Sequence, residues 1–178
     1  MRPSAPHVVG IDFSDASARA LRSAAGLALT AAAPLHVVHA DETQTPARAR
    51  PADSLLTDLR AFVRRTFEGH LPGVRITYAL ARALSPGLAL SSYASDVDAR
   101  LVVVGTHGRR GVKRLLLGSV AEEVVRTAPC PVLTIPDPVA EVATPANRPV
   151  LAPGDFSMAS EEGLRLARAW ATRLNAPL

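Results

Sequence analysis

Leu101-Val-Val-Val104 constrains the fold more than any other four residues of the chain. The run is wholly apolar, carries three β-branched residues, and stops at Gly105. It lacks the in/out alternation of a half-buried strand, so both of its faces are covered, as in the middle of a parallel sheet. Four further runs, His7–Ile11, Leu35–Ala40, Val74–Leu80 and Pro131–Ile135, are also short and rich in β-branched residues. Between them the apolar period lengthens. Ala20, Leu21, Ala24, Ala28 and Ala31 fall on one face of a helix from Asp15 to about Ala32, with Ser14 or Asp15 as its cap. Leu55, Leu59, Phe62, Val63 and Phe67 form one stripe from Ala52 to His70. A third helix is expected over Pro86–Val97, with Ser85 as cap and proline at the first position. A fourth runs from Ser119 to about Thr127.

Strands alternating with helices predict an α/β domain with a parallel sheet and right-handed crossovers. In such sheets ligands bind beyond the carboxyl ends of the strands, near the switch in strand order. Asp12, Ala40 and Gly105 all stand at such ends and are expected to converge.

Composition narrows the function. Of the 178 residues 48% are hydrophobic but only 4% aromatic, so the core must be aliphatic. The net charge of +4 is not gathered into blocks of like charge, which argues against a nucleic-acid partner. A basic surface suits an anionic small ligand. Cys130 is the one cysteine, so neither an internal disulfide nor a cysteine metal cluster is expected. No run approaches the ~18 apolar residues of a membrane span. The amino terminus has no apolar signal-peptide segment, and a cytoplasmic location is expected. His36 and His39 lie three residues apart on one strand and so face opposite sides, which argues against a shared metal.

The tail repeats the beginning. At a shift of 143, Asp12-Phe13-Ser14 meets Asp155-Phe156-Ser157, and positions 7 to 35 contain 12 identities in 29. The repeat breaks off where its second strand should start. The expected organisation is a first domain over 1–136, a linker over 137–147, and a partial repeat of one strand and one helix over 148–178. One βα unit cannot bury its apolar face alone.

The segment from Gly105 to Ser119 carries the chemistry. Gly105 is read as permitting a sharp turn and close ligand approach, and Gly108 as repeating that freedom. Gly118-Ser119 opens a helix whose free N–H groups and positive dipole end favour phosphate. The Ser119 hydroxyl is expected to cap that helix and to donate to phosphate. Arg109, Arg110, Lys113 and Arg114 add positive charge. The segment is neither a Walker loop nor the dinucleotide fingerprint.

Gly105-x2-Gly108-x9-Gly118-Ser119 resembles the nucleotide-binding signature of the universal stress protein family. The resemblance covers residues 6 to 136 and includes Asp12-Phe13-Ser14. It implies a Rossmann-like fold of the adenine-nucleotide-hydrolase kind, a five-stranded parallel sheet in the order 3-2-1-4-5 with helices on both faces. It implies ATP as ligand, with Mg2+ accompanying it. Asp12 then matches the acid near base and ribose, Gly10 and Ile11 lie beside the ligand, and Ala40 offers a backbone contact to adenine. Gly105, Gly108, Gly118, Ser119 and Val120 supply backbone donors, while His107 and Arg109 lie within reach of phosphate or ribose. Arg100 stands where the family has an acid. A stress-response or regulatory role is implied, with a homodimer through the fifth strand and an unknown regulatory protein partner. No general base for efficient turnover is evident, so slow ATP hydrolysis is the most expected of it. The alternative is an interaction scaffold of the same fold that binds no nucleotide.

Overall fold

The computed structural model describes residues 4–42, 50–70, 73–106, 117–136 and 149–178. It divides into two units, 1–141 and 142–178. In the first, β1 (His7–Ile11), α1 (Asp15–Thr30), β2 (Leu35–Glu42), α2 (Ala52–Thr66), β3 (Ile76–Ala83), α3 (Pro86–Asp96), β4 (Leu101–Gly105), α4 (Ser119–Thr127) and β5 (Val132–Ile135) follow in order. The five strands form one sheet in the order β3-β2-β1-β4-β5, and every pairing is parallel. This is the α/β architecture expected from the sequence.

The apolar run around Leu101 lies where its lack of alternation requires. β4 sits between β1 and β5, and Leu101 to Val104 are all buried. Alternate residues separate the two faces. Val8, Val38, Val102 and Val104 join Ala89, Leu90 and Ala94 of α3 and Ala121 and Val124 of α4 in one cluster. The other face meets α1, whose buried stripe is Ala16, Ser17, Ala20, Leu21, Ala24, Ala25 and Ala28. Small side chains on that stripe let the helix lie close to the sheet. Burial of each large aliphatic side chain contributes about 1.5–3 kcal/mol, so this two-layered aliphatic core replaces the missing aromatic one.

Two boundaries differ from the sequence expectation. α2 ends at Thr66 rather than near His70, because Glu68 and Gly69 turn left-handed with φ of 51° and 83°. β3 begins at Ile76, two residues late, and runs to Ala83. Its partner β2 continues to Glu42, and the ladder pairs Leu35 with Ile76 through to Glu42 with Ala83.

The second unit contains α5 (Met158–Leu174). Its start repeats several hydrogen bonds found at the start of α1. Ser157 N–H donates to Asp155 Oδ1 at 3.0 Å, as Ser14 N–H does to Asp12 Oδ1 at 3.0 Å. Phe156 and Phe13 share a left-handed backbone, φ 63° and 66°. Val150 N–H donates to Pro177 O at 2.8 Å, as His7 N–H does to Pro34 O at 2.9 Å. The strand expected ahead of α5 is not formed among the described residues: 149–154 carry no ladder, since a strand needs a neighbour to pair with. The whole of the linker expected over 137–147, with residue 148, lies outside the described residues.

Candidate functional site

The strand order places the switch between β1 and β4. From β1 the chain crosses to β2 and β3 on one side, then returns to β4 and β5 on the other. The β1–β4 register pairs Val9 with Val103. Continued upward, it sets Ile11 beside Gly105 and Asp12 beside Thr106. The carboxyl ends of the two strands are therefore neighbours, where open α/β sheets bind ligands.

Asp12 is half-buried, and its Oδ1 accepts from Ser14 N–H at 3.0 Å and Ser14 Oγ at 2.5 Å. Ser14 in turn caps α1, accepting from Ser17 N–H at 3.2 Å. The carboxylate is thus held at the positive end of a helix. The left-handed Phe13 between them costs about 1 kcal/mol or more. Its ring lies 4.7 Å from that of His39 and 5.6 Å from that of Phe62, contacts that help to offset this cost.

Gly105 has a packing role that the sequence did not signal. Its φ is not in the left-handed region. A Cβ there would stand 3.0 Å from the carbonyl carbon of Ala16 and 3.0 Å from its Cβ. The missing side chain admits the first turn of α1 against β4. Gly10 is likewise occupied by packing, since a Cβ would stand 2.8 Å from Leu90 Cδ1. Ile11 is buried, and its carbonyl accepts from His39 Nδ1 at 2.7 Å. Ala40 is half-buried against the α3 face and pairs with Ala81. His36 meets Tyr93 on α3 at 3.0 Å, whereas His39 turns to Ile11 and Phe13, so the two histidines do face opposite sides. Desolvation lowers the pKa of His36 and raises that of Tyr93.

Thr106 carried no motif signal, yet it closes the site. It is buried, its N–H donates to Ile135 O at 2.9 Å, and its carbonyl accepts from Gly118 N–H at 2.6 Å. One residue thereby joins the ends of β4 and β5 to the start of α4. Gly118 is the N-cap of α4, with φ −72° and ψ 158° and no capping side chain. This corrects the expectation for Ser119, which occupies the first helical position, so its hydroxyl is not the cap. The first intrahelical bond runs from Glu122 N–H to Gly118 O at 2.9 Å. The amides of Ser119, Val120 and Ala121 precede it and have no intrahelical acceptor. Serines cap α1, α3 and α5, whereas the N-cap of α4 is Gly118, and among the described residues no side chain bonds to that end. His107, Gly108, Arg109, Arg110, Lys113 and Arg114 lie outside the described residues. Among the described residues no group of three or more His, Cys, Asp or Glu is placed to hold a metal.

Residues 7–136 match the model of the universal stress protein family. The chain belongs to that family. A universal stress protein of Methanocaldococcus jannaschii is 41% identical over 69 residues, which are 39% of this chain and 40% of that relative. The matched stretch thus spans well under two thirds of that relative. Coverage is fuller among solved structures. A universal stress protein in complex with cAMP is 30% identical, with a TM-score of 0.58 over 73% of this chain and 95% of the other. A universal stress protein from Archaeoglobus fulgidus in complex with dAMP is 28% identical, with a TM-score of 0.55 over 73% and 96%. Among the described residues of this universal stress protein no helix is long and apolar enough to cross a membrane.

Proposed function

We propose that this universal stress protein binds an adenine nucleotide, ATP first among them, at the carboxyl ends of β1 and β4, and serves a regulatory role in stress response. The observation that carries the reading is the uncapped start of α4. Three amides point out of a helix end that Thr106 clamps to the switch point of the sheet. Free amides and the positive dipole end stabilise phosphate. In this reading the amides of Ser119, Val120 and Ala121 take the phosphates, Gly118, whose own N–H is taken by Thr106, leaves them uncovered, and Gly105, His107, Gly108 and Arg109 border them. Asp12 faces the ribose, while Gly10, Ile11 and Ala40 border the base. The adenylate ligands of the two structural neighbours support the adenine part of the reading. Mg2+ would enter with the triphosphate rather than on a carboxylate cluster of the protein, and hydrolysis would be slow.

In solution two copies pair through β5. That strand lies at the edge of the sheet, with Val132, Leu133 and Thr134 half-buried, and an apolar edge needs a partner. Light scattering giving a monomer at micromolar concentration would contradict the dimer.

One observation favours the second reading, an interaction scaffold without nucleotide. Gly10, Gly105 and Asp12 each have a structural task inside the fold, with Leu90, Ala16 and Ser14 respectively. Their presence alone therefore does not require a ligand. Calorimetric titration of ATP, AMP and adenosine separates the two. Nucleotide binding predicts affinity rising with phosphate number, and a scaffold predicts no heat from any of the three.

A further inference from the structure

We propose that Glu123, gripped by Ser85 across the seam between α3 and α4, is the positioning residue for the phosphate-binding end of α4. The inference rests on the nucleotide reading above and deepens it.

α4 is short. Its nine residues bury only Ala121 and Val124, and a helix of that length is not stable alone. Apolar contact is non-directional, so two small buried side chains do not fix how far the helix sits along its axis. Directional bonds along α3 supply that. Glu123 accepts from Ser85 Oγ at 2.6 Å. Thr127 Oγ1 donates to the carbonyl of Glu123 at 2.8 Å. Having spent its proton there, Thr127 is the acceptor in its 2.7 Å pairing with Ser91 Oγ. Two serines of α3 thus hold α4 at its middle and at its end, while Thr106 holds its start through Gly118.

The fit at Glu123 is close. Gly87 is buried beneath it, and a Cβ at that position would stand 2.7 Å from Glu123 Cβ and 2.8 Å from Cγ. Position 87 has no room for a side chain while Glu123 occupies the seam. The same contact answers an electrostatic difficulty. A carboxylate little more than one turn from the phosphate amides would repel the ligand. Ser85, the cap of α3, draws it instead to the positive end of that helix. Glu122, the neighbouring acid, lies 3.4 Å from Arg126.

The test is calorimetric titration of ATP and adenosine with the wild-type chain, Ser85→Ala, Ser85→Thr and Gly87→Ala, with melting temperatures recorded alongside. Ser85→Ala should lower ATP affinity about tenfold relative to adenosine, an effect of the size packed networks transmit between sites. Ser85→Thr keeps the hydroxyl and should restore the ratio. Gly87→Ala displaces Glu123 without changing its charge, in a helix whose propensity it improves. It should lower the ratio by a similar factor, so the test survives if Ser85→Ala fails to fold. A merely structural seam would lower the melting temperature and both affinities together. An unchanged ratio in the folded variants overturns the proposal while leaving the nucleotide reading intact. A wild-type chain that binds ATP no better than adenosine overturns both.

Discussion

The amide of Gly118 donates to the carbonyl of Thr106 at 2.6 Å, so the two ends of the glycine-rich segment meet in one hydrogen bond. The bond joins positions 106 and 118 across the eleven between them. The first turn of α4 is thereby held against the sheet.

Gly105 is predicted to matter for stability before it matters for binding. Gly105→Val places its first side-chain carbon 3.0 Å from the backbone of Ala16, where neither strand nor helix can yield cheaply. Overpacking of this kind costs about 1–3 kcal/mol. Urea denaturation without nucleotide should show the full loss. Unchanged stability would mean that α1 does not sit on Gly105 as described.

The two copies of the Asp-Phe-Ser turn should respond oppositely to the same change. Phe13 repays its left-handed backbone by packing on His39 and Phe62, whereas Phe156 is fully exposed. Phe13→Gly is expected to cost about 2 kcal/mol in chemical denaturation, part of the usual value for a buried Phe. Phe156→Gly loses no packing and relieves strain. Amide exchange in α5 should slow.

Stability should fall with acid through His36. Burial against Tyr93 lowers its pKa below the ordinary 6.5, so the folded state prefers the neutral ring and the unfolded chain binds the proton first. Above 6.5 the group exerts no pH dependence. As pH falls from there through the depressed folded value, unfolding becomes easier. Melting temperatures measured across this window should drop, and His36→Gln should flatten that part of the curve. An unaltered slope in the variant would remove His36 from the account.

What the sequence revealed followed locality. The run at Leu101 announced a central strand because burial on both faces leaves a mark within four residues. The start of α1 at Ser14 or Asp15 was legible for the same reason, since the cap at Ser14 bonds within three residues of itself. The second Asp-Phe-Ser turn carries hydrogen bonds like those of the first. The strand ahead of α5 did not follow, because a strand depends on neighbours that a shift of 143 does not supply. Thr106 was missed because its role consists of bonds to Ile135 and Gly118, and nothing about a threonine after a glycine signals them. The purposes of Gly105 and Gly87 were hidden for a like reason. Ala16 lies 89 residues from the first and Glu123 lies 36 from the second. Ser119 was read as the cap because serine favours that position. The extended backbone of Gly118 moved the helix start one residue earlier.

The central claim is that backbone amides at the start of α4 hold phosphate. Ser119→Pro tests it most directly. Proline is tolerated at the first helical position, and Gly118 already has the extended ψ of 158° that a residue before proline requires. The substitution removes one amide donor and leaves the helix standing, with Ser119→Ala controlling for the hydroxyl. A hydrogen bond to a charged group is worth about 1.5–3 kcal/mol. Calorimetry should therefore show ATP binding weakened about tenfold or more in Ser119→Pro relative to Ser119→Ala, with closely similar melting temperatures. Equal ATP affinity in the two variants would contradict the claim.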